Sequence, residues 1–252
     1  MSNVEIITAV KKAGGPIEQS VAIFMLHPET FAGSIAAGYE NPFAGYVLGR
    51  GGVLPDPNGE TVASAFTIFE PGFIQAMWDQ GAPVRGAAEA AELYWNQTAE
   101  FGRKYLTGTP GVDRIAALGE KVIDANPGDG LPLYAGWRAM PLAADAPARA
   151  LQVMFILREL RGDVHFVELR ASGIHPVEAH MLNKGREYTT MFGWPEPFAD
   201  GADKKQSYTE VEAATNSRMA EIFGAALTPA EVDELAELTA GVLEVLQTKS
   251  KA

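Results

Sequence analysis

The chain has 252 residues, 47% of them apolar, which is the composition of a globular protein with a sizeable core. It contains no cysteine, which excludes disulfides, thiolate metal sites and cysteine nucleophiles. Its net charge of −12 disfavours nucleic-acid binding, because DNA-binding proteins neutralise phosphates with clustered Lys and Arg. The tightest basic groups are only the pairs Lys11-Lys12 and Lys204-Lys205.

The first residues are acidic and lead into no long apolar run, and no stretch approaches about 18 consecutive apolar residues. We therefore expect a soluble cytoplasmic protein that has no signal peptide and does not associate with a membrane.

Proline and glycine mark the ends of several predicted helices in the first half of the chain. Pro28, Pro42 and Pro71 suit the first position of a helix, since proline has a fixed φ and no N–H to lose. Gly38 and the glycines at 51–52 suit helix ends.

Apolar residues between 62 and 69 recur with the spacing of one helical face, although a strand over 61–69 is the alternative. Two long helical patterns follow at about 86–106 and 112–125. The Asn-Pro-Gly-Asp-Gly sequence at 126–130 is the strongest break in the chain. It predicts a boundary between an N-terminal helical half, 1–128, and a C-terminal helical half, 129–252.

The second half begins with an apolar helix at 146–161, which Gly162 is expected to end. Asp163 is then expected to cap the next helix. Pro176 begins another helix, which ends near Gly185. A loop over 192–206 follows. Two Thr-x-x-Glu sequences, starting at positions 209 and 228, then predict capping boxes for the last two helices.

The densest cluster of charge directly follows the apolar residues 151–156 of this helix, in the sequence Leu-Arg-Glu-Leu-Arg-Gly-Asp-Val-His at 157–165. Charged side chains are rarely buried unless they are paired. This run is therefore either an ionic hub that joins two helices or the wall of a binding site.

Any acid–base or nitrogen-ligand chemistry must use one of the four histidines, His27, His165, His175 and His180. The last two lie five residues apart around a proline, which argues against a metal pair on one helical face. The first two begin weakly similar segments that run histidine, short helix, glycine, proline, short helix, Gly-Arg. They would face each other if the halves are related, and with Glu29 or Asp163 they would make a metal site.

The corresponding positions of these two segments predict a ligand pocket lined by His27, Tyr46, Arg50, Arg158, Asp163 and His165. Arg50 would bind a carboxylate or phosphate through two parallel hydrogen bonds. The alternative for Arg50 is an ion pair with Glu29, Glu70 or Asp163 at a tight helix crossing. The chain has no GxGxxG motif, P-loop or GxSxG motif, so the sequence does not support nucleotide binding.

Several of these motifs together resemble the actinobacterial SalK-like helix-turn-helix family over about residues 16–246: His27-Pro28-Glu29, the segment 45–50, Phe69-x-Pro71, the run 157–165 and Trp194. The resemblance implies a mostly helical fold with a winged-helix-like half and C-terminal helices similar to those of MarR regulators. The stretch 194–208 is short and carries little basic charge, which leaves little room for a recognition helix and a basic wing.

We therefore expect a mostly α-helical protein of two tightly packed halves with degenerate helix-turn-helix, winged-helix-like character. The leading hypothesis is a cytoplasmic small-molecule-binding protein whose pocket lies between the halves. One alternative is a MarR-like transcription regulator that binds DNA. The other is a metal- or haem-binding protein or an enzyme that uses His27 and His165, including a cofactor-free version in which Asp163 holds His165 as a base. The C-terminal helices would suit a homodimer or an intramolecular core, and the sequence specifies no cofactor or reaction.

Overall fold

A computed structural model describes residues 3–250 of the protein, so residues 1–2 and 251–252 of the two predicted halves lie outside it. Over this range the chain forms helices and no β-strand, which confirms the prediction of a mostly α fold. The helices are α1 Asn3–Met25, α2 Pro28–Ala36, α3 Pro42–Gly51, α4 Gly59–Phe66, α5 Pro71–Gly81, α6 Ala87–Leu106, α7 Val112–Ala125, α8 Pro132–Arg138, α9 Ala146–Ser172, α10 Pro176–Lys184, α11 Arg186–Met191, a 3₁₀ helix Ala202–Lys204, α12 Lys205–Ala226 and α13 Pro229–Lys249.

The predicted proline starts are confirmed, and each is reinforced by the side chain that precedes the proline. His27, Asn41, Glu70, His175 and Thr228 are N-caps whose side chains accept a backbone N–H from the first turn of the helix that follows. Such a bond satisfies one of the amide groups that every helix start leaves without an intrahelical partner. The segment from 59 to 66 is helical, so the strand alternative there is wrong.

The central helix α9 is longer than predicted. It continues through Gly162 to Ser172, so the predicted helix end at this glycine and the predicted cap at Asp163 are both wrong. A glycine inside a helix costs only about 1 kcal/mol relative to alanine. Here the packing of α9 against α1, α6, α7, α8 and α12 outweighs that cost.

Asp163 instead caps a different helix. Its Oδ2 accepts the Tyr134 N–H at 2.9 Å, in the first turn of α8, where the residue in the N-cap position, Leu131, offers no side-chain acceptor. Burial raises the pKa of Asp163 to about 7, although the hydrogen bond from Tyr134 opposes the shift. A carboxyl group on α9 therefore fixes the start of α8 through a tertiary contact.

The predicted capping box at Thr209 is also wrong, because α12 already begins at Lys205, directly after the 3₁₀ turn. The Thr209 hydroxyl donates to the Lys205 carbonyl inside the helix. Glu212 is therefore free of the helix start and binds Arg161 of α9 instead. The capping box at Thr228 is confirmed.

The structure does not align the two histidine segments as predicted. His27 is an N-cap with φ −69° and ψ 139°, whereas His165 lies inside the long helix α9. The residue that shares the role and backbone angles of His27 is His175, again before a proline. Histidine–proline helix starts therefore repeat in this chain, but the repeat does not include His165.

The largest hydrophobic core cluster is contiguous and takes residues from both predicted halves. At its centre the rings of Tyr94 and Trp95 of α6 pack against Trp137 of α8 and Phe155 of α9. The terminal helices also pair, because α13 packs along α1. The division into two halves at 128/129 stays a prediction. No helix within residues 3–250 is long and apolar enough to cross a membrane.

The cap from Asp163 predicts a pH dependence of stability. The folded-state pKa of Asp163, about 7, lies above the ordinary value of 3.8. Burying the charged carboxylate therefore costs no stability below about pH 4, where the group is protonated in both states. The cost grows between pH 4 and pH 7 and is constant above pH 7. Asp163→Asn keeps an oxygen that can accept the Tyr134 N–H and removes this cost. We expect the free energy of unfolding of Asp163→Asn, minus that of the original chain, to rise by up to about 4 kcal/mol between acidic and mildly alkaline pH.

Urea unfolding at several pH values checks this, with Asp124→Asn, a change at an exposed carboxylate, as the control. A difference between Asp163→Asn and the original chain that does not vary with pH would contradict the account.

Candidate functional site

A cavity of about 600 Å³ lies beside helix α1. Residues of α3, α9, α10, α12 and α13 form the rest of its wall. Much of its wall is apolar or aromatic, including Ile17, Phe43, Phe69, Phe166, Phe192 and Phe223. Polar side chains enter from α9, α10 and α12, which together place buried charges beside this apolar surface.

Five of the six predicted site residues line this one cavity: His27, Tyr46, Arg50, Arg158 and His165. The sixth, Asp163, is not part of the wall, because it points to the start of α8. The structure therefore brings together the two histidines and the two arginines that the sequence singled out, and separates them from the aspartate.

An ionic hub ties α3 to α9 beside the cavity. Its arginines, Arg50 and Arg158, line the wall, and its centre is Glu159, which is fully buried behind them. Arg50 holds this carboxylate through two parallel bonds, Nε to Oε1 at 3.1 Å and Nη2 to Oε2 at 2.8 Å. Arg158 adds a third bond from Nη1 to Oε1 at 2.8 Å. Burial alone would raise the pKa of Glu159, but the two guanidinium groups outweigh it and hold that pKa below its ordinary value.

Arg50 is itself enclosed by aromatic groups. Its Nη1 donates to the Tyr46 hydroxyl at 3.1 Å, and its guanidinium carbon lies 4.4 Å from the centre of the Phe66 ring. The three carboxylates predicted as alternative partners of this arginine, Glu29, Glu70 and Asp163, are all wrong. The actual partner, Glu159, belongs to the charged run 157–165, as Asp163 does.

A second ionic group joins α9 to α12. Arg161 Nη2 binds Glu212 Oε2 at 2.8 Å, and the other carboxylate oxygen lies 3.4 Å from His165 Nδ1 and accepts from the Tyr208 hydroxyl at 3.2 Å. His165 Nδ1 also lies 3.3 Å from the Thr215 hydroxyl. Burial lowers the pKa of His165, and the Glu212 carboxylate only partly offsets this, so the imidazole is neutral at pH 7.

His180 is a cavity residue that sequence analysis set aside. Its ring stacks on Phe192 at a centroid distance of 4.5 Å, and Phe192 stacks on Phe69 at 3.9 Å. Only 3% of His180 is exposed, and its Nε2 has no hydrogen-bond partner among residues 3–250. Burial lowers the pKa of His180 to about 4, so this ring presents an unpaired nitrogen without charge.

In contrast to His180, His27 has a hydrogen-bond partner at each of its ring nitrogens. Nδ1 accepts the Glu29 N–H at 3.2 Å, so the proton of a neutral ring lies on Nε2, which is 3.1 Å from the Ser250 carbonyl. The ring edge also packs on Phe101 and Tyr105. His27 thus fastens the start of α2 to the end of α13, and it forms part of the wall without a free donor or acceptor.

The structure does not form the metal site or the acid–base site that were considered for His27 and His165. Glu29 binds Lys104 and Asp163 caps α8, so neither carboxylate joins His27 and His165. Within residues 3–250 no three His, Asp or Glu side chains are placed to hold one metal ion. The acid–base version is not formed either, because His165 contacts Thr215 and Glu212 rather than Asp163.

The hub generates a stability prediction. Glu159→Gln leaves two guanidinium groups in the wall with no carboxylate between them, and we expect it to lower the free energy of unfolding by about 3–5 kcal/mol. Glu221→Gln is the matched control, since the Arg218–Glu221 pair at 2.7 Å is exposed and such pairs contribute little. Chemical denaturation of both variants makes the comparison, and equal losses would contradict a special role for Glu159.

Comparison with known proteins returns one family. No curated protein and no solved structure matches the chain. A family model described as "Helix-turn-helix family" matches residues 10–251, which is nearly the whole chain and includes every residue of the cavity wall. The chain therefore belongs to this helix-turn-helix family.

Proposed function

We propose that this chain is a small-molecule-binding protein of the helix-turn-helix family and that its ligand occupies the cavity beside α1. One observation carries the proposal: a single cavity collects apolar rings, buried ion pairs and polar atoms that have no partner in the protein. Within the family, SalK-like and MarR-like relationships, a cytoplasmic location and a homodimer stay predictions.

The size and lining of the cavity support this proposal. Ligand pockets commonly measure about 300–1,000 Å³ and combine an apolar lining with a few placed polar groups. The 600 Å³ cavity falls within that range. Its unpaired polar atoms, Arg158 Nε and His180 Nε2, are buried. A buried polar atom without a partner costs about 1–3 kcal/mol, so a ligand that supplies partners gains affinity at these two positions.

Gly162 offers a direct test of whether the cavity binds ligands. It lies on the wall, inside α9, and a Cβ built on it meets no atom within 4 Å. Gly162→Phe should therefore fold and place a ring in the cavity. Gly241 of α13 is the matched control, because it is also helical and open around its Cβ but is exposed and away from the cavity.

We expect the full chain to bind the neutral dye Nile red, with the affinity reduced at least about tenfold by Gly162→Phe and unchanged by Gly241→Phe. Fluorescence titration measures both, and circular dichroism with thermal melting confirms that each variant is folded. Equal dye affinity in a folded Gly162→Phe variant would show that the cavity is not the binding site. Native mass spectrometry of the freshly purified chain, with Gly162→Phe alongside, then identifies any bound molecule that the phenylalanine displaces.

Family membership favours a second candidate function, the binding of duplex DNA. The charge distribution weighs against it, because most lysine and arginine side chains in the described range pair with a carboxylate, including Arg161, Lys184 and Arg186. DNA binding depends on free cations that displace counterions from phosphates. Fluorescence anisotropy with a labelled duplex distinguishes the candidates: affinity that falls steeply with salt supports DNA binding, and no binding at low salt excludes it.

A further inference from the structure

We propose that the ligand carries a planar carboxylate and that the free edge of the Arg158 guanidinium binds it. This inference rests on the proposed function and specifies the class of ligand: a carboxylic acid with an apolar or aromatic body.

The guanidinium of Arg158 makes only part of its possible hydrogen bonds within the protein. Its Nη1 donates to Glu159 at 2.8 Å, which holds the guanidinium against the hub. Its Nε is buried without a hydrogen-bond partner, and within residues 3–250 its Nη2 makes no hydrogen bond. Nε and Nη2 form one edge of the guanidinium plane, and two N–H groups along such an edge match the two oxygens of a carboxylate. Arg158 is also one of the residues that line the cavity.

The neighbouring arginine shows what this edge binds. Arg50 uses the same two atoms, Nε at 3.1 Å and Nη2 at 2.8 Å, to hold the two oxygens of Glu159. One side-on arginine–carboxylate pair thus already lies beside the cavity, with Arg50 in the wall and Glu159 buried behind it. Arg158 presents the same edge with no carboxylate on it.

Charge pairing around the cavity leads to the same conclusion. The carboxylates of Glu18, Glu159 and Glu212 each have a close cation of their own, at 2.8–2.9 Å, namely Lys184, Arg50 and Arg161. Arg158 has only a share of Glu159. Four cations, Lys184, Arg50, Arg161 and Arg158, therefore contact only three carboxylates around the cavity, inside a chain whose net charge is −12. A carboxylate supplies the missing charge.

The rest of the wall defines the body of the ligand. The rings of Phe69, Phe192 and His180 stack on one another and belong to an apolar part of the wall, and His180 Nε2 has no partner in the protein. A second charged group on the ligand would meet side chains that are already paired. We therefore infer a ligand with a single charge on an apolar or aromatic frame.

The test compares acids with their neutral amides. Isothermal titration calorimetry of the full chain near neutral pH uses decanoic acid against decanamide, and naphthylacetic acid against naphthylacetamide. We expect the acid of at least one pair to bind about ten- to a hundredfold more tightly, since hydrogen bonds to a charged group are the strong ones. Arg158→Lys keeps the charge and reaches Glu159 but lacks the two-donor edge, so the preference should fall to about threefold or less. Arg218→Lys, at an exposed ion pair, should leave it intact.

Each other outcome overturns the inference. Equal binding of acid and amide leaves the cavity as a ligand site, and with it the proposed function, but removes the carboxylate. A preference for the acid that survives in folded Arg158→Lys and Arg158→Gln variants removes Arg158 as its receptor. Tighter binding of decyl phosphate than of decanoate assigns the edge to a phosphate. If no acid or amide binds, the carboxylate inference fails, and Nile red binding reports separately on the proposed function.

Discussion

A carboxylate shared by two guanidinium groups organises this molecule. Glu159 is fully buried on the central helix, and removing a charge from water costs several kcal/mol unless strong partners replace the water. Arg50 meets that requirement from α3 with two parallel bonds, and Arg158 adds one more. The arrangement ties α3 to α9, and it holds Arg158, a residue of the cavity wall, with one edge of its guanidinium unpaired.

Helix α9 gives the cavity its chemistry because it is uninterrupted. Arg158, Arg161, Gly162 and His165 all lie on its 27 residues, within two turns of one another, and all line the same wall. Had the helix ended at Gly162, as predicted, the arginines and the histidine would belong to separate elements. Rigid elements hold polar groups more precisely than loops do. The three side chains therefore reach the cavity in a fixed relation. Glu159 of α9, which Arg50 of α3 also binds, orients Arg158, and Glu212 of α12 orients Arg161.

Local chemistry in the sequence was sufficient for the helical class and for most helix starts, since a capping side chain before proline acts within one turn of chain. Five of six site residues reach one cavity because the charged run and the segment at 46–50 were recognised as dense polar clusters beside apolar helices. Asp163 does not line the cavity because its carboxylate accepts a backbone N–H at the start of α8. This is a tertiary contact, and nothing near Asp163 in the chain indicates it. His180 was missed because its unpaired nitrogen and its stacking partner depend on packing between segments. The partner of Arg50 was missed because only tertiary packing decides between Glu159 and Asp163, two carboxylates of the same charged run.

The open space beside Gly162 has an evolutionary consequence. The position sits where backbone and cavity meet, and its missing side chain contributes directly to the room available to a bound molecule. A larger residue there would narrow the cavity, by a methyl group with alanine or by a ring with phenylalanine, without moving a helix. Alanine would also stabilise the helix by up to about 1 kcal/mol. Under the proposed function, a single substitution at this position would change which ligands fit the cavity, while the ionic hub and the core stay unchanged.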